Sequence, residues 1–453
     1  MHGSSRTTQR SPDGHHSIEG RRGGLPGRRC GDPLAARDGL VYDGANARRL
    51  AKDRMKQRPP PADSTATTIV PGTGARDTGT RLHRPKPSPA HRRRWRGCMV
   101  GGAVGDALGA PVEFMSLAEV RAELGTGGVH GYQQAFGRYG AITDDTQMAM
   151  FTAEGLLRAY ACGAVKGSVD IPSVVGHAYL RWLHTQGETA TVAPSLDGWL
   201  IREKALFASR VPGITVIDAL RGRASYGERP RNTSKGCGGA MRVAPVGLWC
   251  ARLHQGMSPD RVAKHALELG VETAALTHGH PTGQLASGFV AALVALLALE
   301  LPLHDALNRA TAVLVRRPGH AETMAALEHA RKLAAAGAPA AEHVARLGEG
   351  WVAEEAVAIA VYCALATTEF DAGVRLAVNH DGDSDSTGAI AGNLLGTLHG
   401  IEAIPTRFTN GLELVDVIAT LADDLATFPE WPIGEFQPAT DASAWWLDRY
   451  PPD

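Results

Sequence analysis

The chain has 453 residues, and at roughly 150 residues per domain its length allows about three domains. Its formal net charge is zero, yet residues 1–97 hold 21 Lys/Arg against 8 Asp/Glu and the remainder 26 against 39, so a basic leader precedes an acidic body. A hydrophobic content of 43% with 21% charged residues is that of a globular protein, and six scattered cysteines without a CxxC pair exclude a disulfide scaffold and a cysteine-based zinc site, which points to a reducing cytoplasm.

Residues 1–94 are rich in Arg, Pro, Gly, Ser and Thr and lack apolar periodicity, as in Arg58-Pro59-Pro60-Pro61. They are predicted to be a disordered, solvated leader, transiently helical at most over Leu50–Arg58. The first thirty residues carry no apolar stretch of the kind that opens a secretory signal. From Trp95 the texture changes, and about 355 residues remain, ample for a large core. Apolar residues recur at three- and four-residue steps, which predicts helices over Met148–Ala161, Val174–Leu183, Val262–Leu269, Gly283–Leu299, Leu303–Val315, Ala321–Ala334, Val352–Ala366 and Leu412–Leu425. Ser258 and Thr282 read as helix starts, and Gly and Pro punctuate the runs, as at Pro212-Gly213 and Arg317-Pro318-Gly319. No alternating β-branched run is long enough for a strand. The expected fold is all-α: one compact multi-helix domain over residues 95–435, followed by a C-terminal tail over 436–453. Leu285–Leu303 is the most apolar stretch, but Ser287 and Gly288 interrupt it and Glu300 and Pro302 close it. A span needs about 20 strongly apolar residues, so this stretch reads as a buried core helix, with no membrane association expected.

Two acidic clusters lie at helix entrances. Thr143-Asp144-Asp145-Thr146 leads into Gln147-Met148-Ala149-Met150, and Asp381-Gly382-Asp383-Ser384-Asp385-Ser386-Thr387 leads into Gly388-Ala389-Ile390-Ala391-Gly392. Asp, Ser and Thr are the preferred N-cap residues, so capping is the plainer account of either cluster alone. A cap needs one such residue, however, and adjacent carboxylates repel. A helix N-terminus offsets about half a charge, whereas carboxylate and hydroxyl oxygens together suit a hard divalent cation. Two such clusters from distant parts of the chain point to a shared dinuclear site. The glycines of Arg96–Glu113 have helical spacing, which reads as a face for close helix packing; Glu113 lies just beyond Pro111. The segment Asn232–Pro245 contains a glycine turn whose backbone N–H groups could cradle a pyrophosphate, with Lys235 and Arg242 adding charge. Cys237 within it reads as a small packed residue, and the two His of Leu276–Pro281 read as caps rather than metal ligands.

Taken together and in order, GDALGAPVE ending at Glu113, TDDT at 143–146, GGAMRVAPVGL at 238–248, LTHGHP at 276–281 and DGDSDSTGAIAGNLLG at 381–396 resemble the ADP-ribosylglycohydrolase family, from about Arg96 to about Gly400. The resemblance implies a compact all-α domain with two Mg²⁺ (or Mn²⁺) in a central cleft. It implies Thr143, Asp144, Asp145, Asp383, Asp385 and Ser386 as metal ligands, with Thr387 adjacent. It also implies Glu113 as the acidic residue near the scissile ribose, and Gly238, Gly239, Met241 and His278 as lining an ADP-ribose pocket; either Glu113 or Asp145 is a catalytic carboxylate that could take or return the proton. Lys235-Gly236-Cys237-Gly238-Gly239 departs from the Asn-containing loop common in the family, and Asp197 is the nearest match to a further acidic residue of some members. The expected function is a cytoplasmic, monomeric, Mg²⁺-dependent hydrolase that releases ADP-ribose from a modified protein side chain or related conjugate, with no nucleic acid bound by the folded domain. Cleavage at an anomeric carbon passes through an oxocarbenium-like state, which suits two carboxylates and a cation-held ribose. The rivals are a non-catalytic ADP-ribose-binding or structural protein, and a dinuclear phosphohydrolase.

Overall fold

Gly97, Gly101, Gly105 and Gly109 fall every four residues, so they line one face of the first helix, α1 (Pro89–Gly109), in the computed structural model, which describes residues 89–434 and 440–453. Sixteen further α-helices follow among the described residues. The first eight are α2 (Leu117–Leu124), α3 (Asp144–Lys166), α4 (Ile171–Thr185), α5 (Ile214–Arg221), α6 (Ala244–Leu253), α7 (Pro259–Ala274), α8 (Pro281–Ala298) and α9 (Leu303–Leu314). The rest are α10 (Ala321–Ala335), α11 (Ala341–Ala345), α12 (Ala353–Ala366), α13 (Phe370–Val378), α14 (Ser384–His399), α15 (Thr406–Thr409), α16 (Val415–Thr427) and α17 (Asp441–Arg449). The only sheet among the described residues is an antiparallel hairpin of two-residue strands, β1 (Gln134–Ala135) and β2 (Arg138–Tyr139). The fold is all-α, as the period of the apolar residues requires. Short helices such as α2, α5 and α13 escape the periodic reading because eight or nine residues hold little more than two turns.

The glycine face of α1 meets the small residues of α14 in antiparallel register. A Cβ added at Gly105 would lie 1.9 Å from the Gly388 carbonyl oxygen, and one at Gly101 2.5 Å from that of Gly392. At the ends of the pair, Gly97 faces Gly396 and Gly109 faces Ser384. Backbone therefore packs on backbone, and the start of α14 is held beside the exit of α1.

The apolar stretch becomes α8, buried along nearly its whole length among neighbouring helices, although its length and hydropathy would let it cross a membrane. Its cap is His280, whose Nδ1 accepts from the Thr282 N–H at 3.1 Å; Thr282 sits inside the helix rather than capping it.

Two expected boundaries shift. The folded body begins by Pro89 rather than Trp95, because the last arginines of the basic stretch have structural partners. Arg94 donates to the carbonyls of Leu297, Thr397 and Leu398 at 3.0–3.3 Å, satisfying the C-terminal ends of α8 and α14. Arg96 pairs with Asp423. Residues 1–88 of the expected leader, with the Leu50–Arg58 helix, lie outside the described residues. At the other end, residues 440–453 pack onto the body rather than trailing from it. Trp446 stacks on Trp431 at 4.0 Å, and Tyr450 is fully buried with its hydroxyl donating to Asp424 at 2.5 Å. Asp453 accepts from Arg158 at 2.6 Å, in a network completed by Arg181, Glu154 and His177. Two arginines and a glutamate buried this completely are tolerable only as a mutually paired set.

Candidate active site

Three segments remote in sequence converge on one point. A 3₁₀ turn over Ala110–Val112 ends α1 and presents Glu113. Thr143 caps α3, its hydroxyl accepting from the Asp145 N–H at 3.2 Å, so Asp144 and Asp145 occupy the first turn. Asp383 caps α14, its Oδ1 accepting from the Ser386 N–H at 3.3 Å, while Asp385 Oδ1 accepts from the same group at 2.9 Å. Gly382, at φ +110°, makes the sharp entry to this cap, and the Asp383 N–H donates to Glu349 O at 2.8 Å. Carboxylate oxygens of Glu113, Asp383 and Asp385 all lie within 4.8 Å of one another.

These groups are nearly shut off from water: Glu113 is 7% exposed, Asp145 3% and Asp385 4%. Burial, and then the other carboxylates, push the Glu113, Asp144, Asp145 and Asp385 carboxyls well above the ordinary range. Burial also raises Asp383, against hydrogen bonds that favour its ionised form. Glu113 Oε2 and Asp145 Oδ2 are buried without any protein partner. Two helix N-termini offset about one charge in total, less than this set carries when ionised. Oxygen donors with free lone pairs around an uncompensated negative charge fit hard divalent cations. Glu113, Asp383 and Asp385 could hold one, and Asp144, Asp145 and the Thr143 and Ser386 hydroxyls lie at the same two helix entrances.

The glycine turn closes one side of this centre. Cys237 Sγ donates to Asp383 Oδ2 at 2.7 Å and lies 3.5 Å from Ser386 Oγ; burial and Asp383 push the thiol well above its ordinary value. Met241 Sδ accepts from Ser386 Oγ at 3.8 Å. The His278 ring packs under the turn, where a Cβ at Gly238 would meet it at 3.1 Å. Burial, and then Arg242, lower His278 to about 3, so it is a neutral wall that bonds Thr277 at 2.9 Å. Phe114 stacks on Trp351 with ring centroids 5.7 Å apart, tying the Glu113 turn to the loop that precedes α12.

Residues 87–432 match the family model described as ADP-ribosylglycohydrolase. The chain belongs to the ADP-ribosylglycohydrolase family. It is 30% identical over 337 residues to an uncharacterized protein of Archaeoglobus fulgidus, covering 73% of this chain and 95% of that one. It is 25% identical over 337 residues to the ADP-ribosyl-[dinitrogen reductase] glycohydrolase of Rhodospirillum rubrum, covering 72% and 92%. A solved structure described as an ADP-ribosylglycohydrolase-related protein complex superposes with a TM-score of 0.51 at 26% identity, covering 76% of this chain and 99% of that one. The protein is accordingly a hydrolase of the ADP-ribosylglycohydrolase type.

Several residues of this family member have other work than the sequence suggests. Arg242 is buried beneath the turn, donating to Thr277 Oγ1 at 2.5 Å and lying over the Tyr179 ring, and Lys235 pairs with Glu322 and Glu354. Neither is a free cation for a pyrophosphate. Gly239 packs its side-chain position against Ala274 and Ser287, in the core rather than toward the carboxylates. The Thr387 hydroxyl is taken by His380 Nε2 and the carbonyls of Ala377 and Asp383, each at 2.8 Å. Asp197 pairs with Arg158 at 2.8 Å, thirteen residues beyond Asp145 on α3 and so about 20 Å along that helix.

One site residue escapes the sequence reading altogether. Asp106 is fully buried and accepts from the Thr143 N–H at 3.0 Å, the Thr146 N–H at 3.2 Å and the Thr146 hydroxyl, clamping the start of α3 to α1. Its place in the same GDALGAPVE stretch, seven residues before Glu113, was the signal available.

The raised carboxyls set a pH dependence. A carboxyl that titrates higher when folded contributes stability below its unfolded value, and that stability is lost as pH rises through the folded value. For Asp106 the loss runs between 3.8 and about 6, and the carboxyls raised further extend it upward. A cation that binds these carboxylates must displace their protons, so any rise in melting temperature with Mg²⁺ over EDTA is expected to grow as pH increases from about 5 to 8. Melts at a series of pH values check this, and a cation effect that is flat with pH would contradict it.

Proposed function

We propose that the protein releases ADP-ribose from a modified protein side chain, reversing mono-ADP-ribosylation with the help of two Mg²⁺ ions. The observation that carries this reading is the convergence of Glu113, Asp383 and Asp385 within 4.8 Å, with buried oxygens of Glu113 and Asp145 left without partners. When bound, the cations would neutralise these carboxylates, hold vicinal hydroxyls of a ribose and act as Lewis acids on oxygen. The name of the Rhodospirillum rubrum relative supports ADP-ribosylated protein as substrate class.

The chain's own residues then divide the work. Glu113 and Asp145 each keep one oxygen, Oε2 and Oδ2, free of protein hydrogen bonds, so these atoms can hold or pass a proton while the glycosidic bond opens. The acidic surroundings oppose loss of positive charge from the oxocarbenium-like ribose and so favour its formation. The turn at Cys237 and Gly238, with Met241 and the neutral His278, forms a wall that excludes water beside Asp383 and Ser386.

The test is product analysis with the full chain on ADP-ribosyl-arginine and ADP-ribosyl-serine peptides, in Mg²⁺ and in EDTA. Mg²⁺-dependent release of free ADP-ribose is the expected result, and the peptide that reacts identifies the linkage. Release of inorganic phosphate would make the protein a phosphohydrolase instead. Binding of ADP-ribose without turnover of either peptide would make it a binding protein.

A further inference from the structure

The chain enters α3 through Ile142, and one buried ion pair grips both backbone groups of that residue. The Ile142 N–H donates to Glu413 Oε2 at 3.1 Å, and its carbonyl accepts from Arg210 Nη1 at 3.3 Å. Arg210 Nη2 donates to Glu413 Oε1 at 3.0 Å, which closes the ring. The carbonyl of Arg210 then accepts from the Asp144 N–H at 3.4 Å. Arg210 and Glu413 are both buried and come from loops remote in sequence, one before α5 and the other before α16. The Arg210 guanidinium lies over the Phe136 ring, 4.8 Å from its centroid. The backbone around the pair is strained: Phe136, Val211 and Leu414 have φ of +52°, +61° and +56°. They are three of the four non-glycine residues with positive φ among the described residues. One lies under the guanidinium, and the other two directly follow Arg210 and Glu413. Strain of this kind persists only where the surroundings over-determine it, and it gathers at functional sites. A pair serving stability alone needs no such cost, because apolar residues of similar volume serve as well.

Resting on the reading that Asp144 and Asp145 work in a cation-dependent hydrolysis, we infer that Arg210 and Glu413 are positioning residues of that reaction. Their ion pair holds the first turn of α3 where Asp144 and Asp145 meet the carboxylates of Glu113, Asp383 and Asp385. Asp106 takes the next N–H, that of Thr143, so the entrance to α3 is fixed from two directions. The task requires a guanidinium. One planar fork donates to the Ile142 carbonyl and to Glu413 together, while its face lies on Phe136. A lysine ammonium would keep the charge opposite Glu413 and lose the second fixed direction. Arg138 supplies the contrast, because it is exposed and pairs with the same Glu413 Oε1 at 3.0 Å, whereas the Ile142 carbonyl is held by Arg210.

The test compares the full chain as wild type, Arg210→Lys and Arg138→Ala. Lysine is chosen because an apolar residue at 210 would leave Glu413 buried without its partner. Arg210→Lys is expected to fold and to need on the order of tenfold more Mg²⁺ for half of its thermal shift. Its kcat for ADP-ribose release should fall on the order of tenfold or more, with KM within about twofold of wild type. In the metal-free proteins, deuterium uptake over residues 141–147, read by mass spectrometry, should rise several-fold in this variant alone. Arg138→Ala should match the wild type in all of these readouts. A lysine variant that melts lower yet keeps the wild-type Mg²⁺ requirement and kcat would make the pair purely structural and overturn the inference. Equal losses in Arg138→Ala would overturn it too, since charge at Glu413, rather than the grip on Ile142, would then matter. Failure of the underlying reading looks different: the wild type itself shows no Mg²⁺ shift, while deuterium uptake over 141–147 still tests the grip.

Discussion

Gly105→Val is expected to prevent folding or to destabilise the protein by more than about 4 kcal/mol, well above the usual effect of a point substitution. Even the first carbon of the new side chain would sit 1.9 Å from the Gly388 carbonyl oxygen and 2.3 Å from its carbon. Overpacking in most cores costs about 1–3 kcal/mol because side chains can turn aside. Here the obstacle is backbone, so α1 and α14 must separate along their length and expose the apolar residues around them. Thermal or urea unfolding measures the loss. A variant with a melting temperature within a few degrees of the wild type would show that the two helices are not so closely apposed. Because Glu113 follows α1 and Asp383 and Asp385 begin α14, any partly folded form of this variant should also lose its Mg²⁺-dependent stabilisation.

Asp385→Asn is expected to move stability and activity in opposite directions. Asparagine keeps the acceptor that meets the Ser386 N–H at 2.9 Å and removes one buried like charge. The carboxyl is pushed well above the ordinary range by burial and by Asp383, so at neutral pH its ionised form burdens the metal-free fold. The metal-free variant should therefore be more stable than the wild type at neutral pH. Its release of ADP-ribose should fall on the order of a thousandfold, the effect of losing about 4 kcal/mol of transition-state stabilisation at a metal centre. Melts in EDTA and in Mg²⁺, with turnover on the reactive peptide, check both halves. A variant destabilised without metal would mean that Asp385 is a structural acid; full Mg²⁺-dependent turnover would remove it from the centre.

Much of this molecule is legible before folding is considered. Helices α3, α4, α7, α8, α9, α10 and α12 follow from a 3.6-residue apolar period, which is a local property of the chain. The acidic runs at 143–146 and 381–387 announce themselves because they exceed what a cap requires, and the glycine spacing of α1 announces a close helix partner. These determine the fold class and the family.

What they do not determine is how each polar group is satisfied, because its partner comes from a remote segment and obeys no sequence period. Arg242 and Lys235 look like ligand-binding cations until Thr277, Glu322 and Glu354 claim them. Asp197 looks like an active-site acid until Arg158 claims it, and Asp106 looks like part of a packing face until it clamps the start of α3. Cys237 looks like filler until the approach of α1 to α14 and the anchoring of its own turn bring Asp383 within hydrogen-bonding distance. Composition and period follow from neighbours along the chain. Which oxygens remain without a partner, and therefore available to a cation or a proton, is decided by contacts between segments hundreds of residues apart.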